Sequence, residues 1–411
     1  MRILWAKAGG LLPLDSGGAI RTYQILRELV RKHSITFFNF YAAGGDDQHF
    51  QLAQEQLFED VVCCPIELPT PGGFSDCLHY AGNLLTGLPY AVGKYGRAEI
   101  REKLANLASS RAYDVLLCDF VAGGINFPWL SPLTKVIFTH NVEAMIWKRH
   151  YEVARDPLRK AVFWREWRAM TKLETEYLRR SDHVLTVSEC DKEHFSHFIP
   201  GAKITAIPTG VDAGYFSPAL EEEQPNTITF VGSMDWLANE DAAFYFCEHI
   251  LPGIRKEVPQ VTFWIVGRRP SSRLQRELGG RPGVHITGAV DDIRPYLRRA
   301  TVVVVPLRVG GGTRLKIFEA MSCQKAVVST TIGAEGLPVI SGKHIILCDD
   351  RDEFARKVTE LLRDSHRRKE IAWQARQLVQ TRYSWKSVAE YLESVLERTA
   401  MDRLCSSVGG E

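Results

Sequence analysis

No two cysteines of this sequence stand at CxxC spacing, and none has a histidine at a zinc-site interval. The nine cysteines, an odd number, are scattered at positions 63, 64, 77, 118, 190, 247, 323, 348 and 405. Neither a disulfide framework nor a zinc knuckle is therefore expected. The opening MRILWAKAGG lacks the basic, then apolar, then small-residue grammar of a signal peptide and reads as a first strand. A reducing cytoplasm is the expected setting. The longest charge-free stretch, Cys77–Gly93, is broken by His79, Asn83, Pro89 and its glycines, so it does not supply the ~20 apolar residues a spanning helix needs. Nor is there an excess of one charge: 51 Lys and Arg against 49 Asp and Glu leave +2. Nothing global drives the chain onto nucleic acid.

What is present is ordinary globular material, 45% hydrophobic and 24% charged over 411 residues, a length that favours two or three domains. Short β-rich runs alternate with helical patterns. RILWAKA (2–8) and SITFFNFY (34–41) read as strands around a helix Ala19–Arg31, and DVLLCD (114–119), KVIFTH (135–140) and HVLTVS (183–188) continue them. Before the last comes a long helix with Phe163, Trp167, Met170, Leu173 and Tyr177 on a core-facing stripe. After Ile207 the Pro-, Gly- and Glu-rich PTGVDAGYFSPALEEEQPN reads as a linker, and the grammar restarts with TITFVGS, VTFWIVG, VHITG, TVVVVPL and AVVST. The expectation is an α/β protein of two doubly wound, Rossmann-like domains facing each other across a cleft, which is where such sheets bind ligands. The domains predicted are 1–206, 207–384, and a C-terminal helical segment 385–411 that packs back on the first.

Two glycine turns carry chemistry. Gly9, Gly10, Asp15, Ser16, Gly17 and Gly18 surround the turn into the first helix, where bare backbone and free N–H groups suit a phosphate, or simply a tight turn. The spacing is not GxGxxG, and no acid follows at the ribose distance. The stronger signal is VVVVPLRVGGGTRLKIFEAM (302–321): a buried strand, Gly310, Gly311 and Gly312, then a helix opening at Thr313 with Arg314, Lys316 and Glu319. Two cations in a first turn oppose the helix dipole, which suggests an anionic ligand such as a diphosphate. Glu319 could pair with Lys316 or accept from ribose hydroxyls. Asp291–Asp292 and Asp350 read as helix caps, and the sole DxD spelling, Asp350-Arg351-Asp352, as a cap and not a metal site.

These motifs, in this order, resemble the retaining GT-B glycosyltransferases of glycosyltransferase family 4. The resemblance rests on the Gly17-Gly18 turn, the strand-end His140, TVSE (186–189), IPTGVD (207–212), FVGSMDW (230–236), ITGAVDD (286–292), the GGGTRLK loop and a closing YSW helix. It implies that Gly17 and Gly18 face a donor diphosphate, that Arg314 and Lys316 grip it, that Glu319 binds ribose, and that His140 sits beside the transferred sugar. The glycine loop with Thr313 completes the donor site. Three departures stand out. The first of the family's paired glutamates is replaced by Gly311, the cations expected after the second domain's first strand are missing from SMDWLANE (233–240), and Thr209 stands where the hinge Asn is usual.

The expected function is transfer of a sugar from a nucleoside diphosphate sugar to a hydroxyl acceptor, a glycan or a lipid-linked one, with no metal or other cofactor. A nucleotide-sugar epimerase and a non-catalytic partner protein are the alternatives. The stretch Trp147–Arg180, with ten Lys and Arg against five acids and Trp147, Trp164 and Trp167 interleaved, reads as a solvated helix or as a side that meets an anionic membrane. Binding of nucleic acid is not expected.

Overall fold

The computed structural model describes residues 1–14, 16–43, 57–69, 74–154, 156–219, 223–309 and 315–408. The chain divides into two compact units, Met1–Pro208 joined by the segment from Val388 onward, and Thr209–Ser387. The crossing lies just beyond the expected residue 207, because Ile207 N still bonds Thr186 O of the first sheet at 2.8 Å, whereas Val211 N bonds Tyr383 O of the second unit.

The first unit is built on a sheet of seven parallel strands, β1 (Arg2–Ala8), β2 (Ser34–Ala42), β3 (Asp60–Ile66), β4 (Val115–Asp119), β5 (Thr134–Phe138), β6 (His183–Thr186) and β7 (Ile204–Ala206). They lie in the order β3-β2-β1-β4-β5-β6-β7. Strands β1, β4 and β5 are buried almost end to end, as near-continuous apolar runs covered on both faces must be. Helices α1 (Gly17–Leu29), α2 (Phe74–Thr86), α3 (Tyr90–Gly93), α4 (Ala98–Ser110), α5 (Glu143–Val153), α6 (Pro157–Arg180) and α7 (Glu189–Phe198) connect them. Of the expected stripe on α6, Met170, Leu173 and Tyr177 are buried, and Phe163 and Trp167 are half-buried near its outer end.

The second unit repeats the plan with six parallel strands, β8 (Thr227–Val231), β9 (Thr262–Val266), β10 (Val284–Ile286), β11 (Val302–Val305), β12 (Val327–Ser329) and β13 (Ile346–Leu347). Their order is β10-β9-β8-β11-β12-β13. Helices α8 (Leu237–Tyr245), α9 (Leu251–Glu257), α10 (Ser272–Leu278), α11 (Arg294–Arg299), α12 (Leu315–Ser322), α13 (Arg351–Arg363) and α14 (Ser365–Arg382) surround it. Asp350 caps α13 by accepting from the N–H groups of Asp352 and Glu353 at 3.0 and 2.9 Å. The last helix, α15 (Trp385–Val408), begins in the second unit and runs on as part of the first. Its Lys32–Glu393 and Lys203–Asp402 ion pairs, at 2.9 and 2.6 Å, fasten it there. No described helix is long and apolar enough to cross a membrane.

Each sheet has one place where successive connections depart in opposite directions, between β1 and β4 in the first unit and between β8 and β11 in the second. Helices leave such a switch point on both sides, so a crevice opens outside the strands' carboxyl ends. Among the described candidates, His140 and Gly18 lie at the first of these points and Lys316 at the second.

Candidate active site

In the first unit, Lys7 of β1 and Asp119 of β4 are register partners across the switch point, and both side chains are buried. Asp119 is the hub. Its Oδ1 faces His140 Nε2 at 2.7 Å, and its Oδ2 accepts from Thr22 Oγ1 of α1 at 2.8 Å and lies 3.7 Å from Lys7 Nζ. Burial alone would raise the Asp119 pKa, but Lys7, His140 and the Thr22 hydroxyl outweigh it and hold the group ionised, below its ordinary range. Burial likewise lowers the Lys7 ammonium, against the attraction of Asp119.

His140 is not a strand residue. Strand β5 ends at Phe138, and Thr139 N makes the last ladder bond, to Leu185 O at 2.8 Å, so the imidazole starts the loop into α5. Burial pushes it down to about 4 in spite of Asp119, which leaves it neutral at pH 7. Since Asp119 is acceptor-only, Nε2 carries the proton and Nδ1 the lone pair. That Nδ1 is buried and has no hydrogen-bond partner. The ring is clamped by Phe120, stacked at 3.9 Å between centroids and 4° from parallel. Phe120 adopts a φ of +69°, a region costly for a bulky side chain, and Lys7 Nζ lies 3.8 Å from its ring centre.

Gly18 explains itself against that ring. A Cβ there would stand 2.4 Å from Phe120 Cζ, so only glycine lets α1 approach. Its neighbour Gly17 opens α1 behind Ser16, whose Oγ accepts from Ala19 N at 3.3 Å. One turn on, the fully buried Arg21 donates to Ile207 O at 3.4 Å. The segment after His140 is fixed from α6: the Glu174 carboxylate accepts from Glu143 N at 2.8 Å and Ala144 N at 3.0 Å, which caps the start of α5. Burial raises Glu174 to about 8, with the two N–H groups pulling the other way.

In the second unit, Gly310, Gly311, Gly312, Thr313 and Arg314 lie outside the described residues. Lys316 and Glu319 lie on α12, which follows β11. Lys316 Nζ donates to Asn239 Oδ1 at 2.6 Å and sits 4.9 Å over the Phe230 ring. It stands against Gly232, the residue after β8, where a Cβ would come within 2.9 Å of Nζ. Thus α8, β8 and α12 converge on the switch point. Gly267, at φ +155°, continues the crowding, since a Cβ there would lie 1.8 Å from Gly232 O. Burial raises the half-buried Glu319 to about 7, and the Lys316 cation tempers the rise.

The sequence reading missed several of these partners. It found no cation in SMDWLANE, yet Arg268, just past β9, donates from Nε to Ser233 Oγ at 2.9 Å and brings positive charge to that loop. The signal was the VGRRP spelling after a strand. Asp119 was also readable, as the acid ending DVLLCD. Nothing in the sequence marked Asn239 or Phe120. Among the described residues one group has the geometry for a cation, His33, Glu393 and Glu397, with ligand atoms within 4.8 Å of one another. Its His33 precedes β2 at the amino ends of the strands, whereas His140 follows the carboxyl end of β5, and Lys32 Nζ already holds Glu393 at 2.9 Å.

The chain matches two family profiles in tandem, "Glycosyltransferase Family 4" over residues 16–215 and "Glycosyl transferases group 1" over residues 225–364. The switch-point clusters lie one in each, and the chain is a GT-B glycosyltransferase. A Klebsiella pneumoniae protein described as an uncharacterized 44.6 kDa protein in cps region is 23% identical over 70% of this chain and 75% of its own. The Mycobacterium leprae phosphatidyl-myo-inositol mannosyltransferase is 26% identical over 49% of this chain and 55% of its own length. The fold agrees with sucrose-phosphate synthase of Thermosynechococcus elongatus, with a TM-score of 0.66 at 17% identity over 97% of this chain and 98% of that one. It agrees also with Anabaena HepE, solved in complex with UDP, with a TM-score of 0.64 at 16% identity over 97% and 100%.

Proposed function

We propose that this glycosyltransferase takes a sugar from a nucleoside diphosphate sugar and places it on a hydroxyl acceptor with retention at the anomeric carbon. The observation that carries the reading is His140 Nδ1, a buried, neutral acceptor without a partner at the first sheet's switch point. Buried polar atoms are rarely left unpaired, and a sugar hydroxyl donating to Nδ1 satisfies this one. As the bond to the diphosphate breaks, negative charge grows on the leaving phosphate. Arg314, Lys316 and the backbone N–H groups of the Gly310–Thr313 loop stabilise it, with Gly17 and Gly18 facing the same diphosphate. The departing oxygen then takes the acceptor's proton on the same face of the sugar, so the step needs neither a protein nucleophile nor a metal. Glu319 accepts from the ribose hydroxyls.

Anabaena HepE, solved with UDP and with UDP-glucose, supports a nucleotide-sugar donor. The Mycobacterium leprae mannosyltransferase is named for an inositol lipid, and it supports a lipid-linked acceptor over a free sugar. The proposed setting is glycan or polysaccharide assembly in the cytoplasm, at the inner face of a membrane. A thermal-shift screen over nucleotide sugars tests the donor, because a ligand at 100 times its Kd adds about 2.7 kcal/mol to stability. Turnover of the selected donor with His140→Ala then tests the site. A large loss of kcat with donor affinity kept is expected. Donor conversion without any acceptor would make the protein an epimerase instead.

A further inference from the structure

Three consecutive polar residues of α8, Asn239, Glu240 and Asp241, are each tied to a different element of the second unit. Asn239 is buried, accepts from Lys316 Nζ of α12 at 2.6 Å, and donates from Nδ2 to Ser233 O, just after β8, at 2.8 Å. Glu240 accepts from Ser271 Oγ, the cap of α10, at 2.6 Å. Asp241 grips Arg308, three residues past β11, with both oxygens: Oδ2 accepts from Nε at 3.1 Å and Oδ1 from Nη2 at 2.5 Å. Neighbours one and two apart on a helix point in different directions, and polar ones usually meet water. Here all three directions are taken. The same helix buries Ala238, Ala242 and Ala243 in the core, so the support is itself held.

The Arg308 contact differs from an ordinary surface pair. The side chains of Arg308 and Asp241 are 49% and 33% exposed, and a solvated pair of that kind adds little to stability. Yet two bonds hold the guanidinium along its edge and the Tyr245 ring, 4.5 Å away, covers its face, which fixes orientation as well as position. Arg308 stands two residues before Gly310, and Lys316 four residues after Gly312. Three glycines in a row carry no side chain to anchor a turn, and glycine gives up more backbone freedom on ordering than any other residue. The place of such a turn has to be set from its flanks. Both flanking cations end on α8, two residues apart.

We infer that Asp241 and Asn239 are positioning residues for glycosyl transfer: by holding Arg308 and Lys316 on α8, they set both ends of the glycine turn against the donor diphosphate. The inference rests on the proposed function and deepens it, because groups that stabilise a leaving phosphate must be fixed to within about 0.5 Å before the bond breaks. Steady-state kinetics with the nucleotide sugar selected by thermal shift test it, on Asp241→Ala, Arg308→Ala, the double variant and Asp241→Glu, with Lys316→Ala as reference. Each single alanine variant at 241 or 308 should lose about tenfold or more in kcat, with donor KM changed less than about threefold and the melting temperature near that of the unaltered protein. The double variant should lose no more than either single one, since the two halves of one clasp fail together, whereas independent charges would multiply their effects. Asp241→Glu keeps the carboxylate and should recover most of the rate. Asn239→Leu should also lower kcat by about tenfold or more. Should that buried change unfold the unit, the exposed Arg308→Ala carries the same reading. Full kcat in Asp241→Ala and Arg308→Ala beside a depressed Lys316→Ala would overturn the inference and leave the proposed function standing, and so would losses that multiply in the double variant. Undiminished turnover in Lys316→Ala would remove the diphosphate contact itself, and this inference with it.

Discussion

Asp119 decides the state of two other buried groups, so changing it has two separable effects. In Asp119→Asn the Lys7 ammonium is left buried without its anion, and stability should drop by about 3 kcal/mol, the scale for a buried pair broken on one side. His140 also loses the carboxylate that sets its tautomer, and kcat should fall about 10²-fold with donor KM little changed. Adding Lys7→Met to that variant should recover the melting temperature but not kcat. Recovery of both would reduce Asp119 to a structural role. In the second unit, the role proposed for Glu319, accepting from two ribose hydroxyls, needs its carboxylate form. With its pKa near 7, donor affinity should weaken as pH falls through that value, and Glu319→Gln should flatten the dependence in a titration from pH 8 to 6. His140 and Lys316 drew notice in the sequence because each stands just past a strand, and Glu319 because it lies three residues on from Lys316. Asp119 was readable as an acid at a strand end but its pairing with His140 was not, nor was Asn239, because no local spacing encodes a contact between separate elements.

At the scale of elements, the long apolar strands were read closely. RILWAKA is β1 to the residue, and TVVVVPL contains β11. The failures share a cause. Strand β3, DVVCCPI, carries two cysteines and a proline and lies only half-buried along most of its length, while β7 and β13 span just three and two residues. Helix α2 was missed because its apolar side faces away from the core that periodicity is assumed to serve. The closing helix, expected within 385–411, spans Trp385–Val408. Leu392 and Leu396 on α15 are fully buried, and Thr399 Oγ1 meets His183 Nδ1 of β6 at 3.1 Å. Leu392→Ala or Leu396→Ala should each cost about 2–5 kcal/mol by leaving a cavity. Calorimetry should show the loss in the first unit's transition and not in the second's. A drop confined to the second transition would place the helix's contribution there instead.

Acid acts on buried groups of both signs in each unit. His140 and His183, both pushed down to about 4 by burial, are neutral in the folded first unit and take up protons on unfolding below their ordinary pKa of about 6.5. Stability is therefore lost as pH falls from about 6.5 to 4, with His140 alone supplying about 1.4 kcal/mol per pH unit. Glu174, raised to about 8, and Glu143, also raised by burial, oppose them, because the folded state holds their protons where the unfolded chain does not. In the second unit Glu319, raised to about 7, acts like Glu174, whereas His344, lowered by burial, works against it. A His140→Gln variant should lose less stability between pH 6.5 and 4.5 than the unaltered protein, read from the first unit's calorimetric transition, and equal losses would contradict the assignment. The route of the chain has a further result. It leaves the first unit at Pro208, completes the second, and returns at Val388 to lay α15 against His33, His183 and Asp182. During synthesis from the N-terminus, the half that is made first is thus the half finished last. The His140 cluster sits in a sheet still lacking a supporting helix until α15 is released, whereas the second unit already has all its strands.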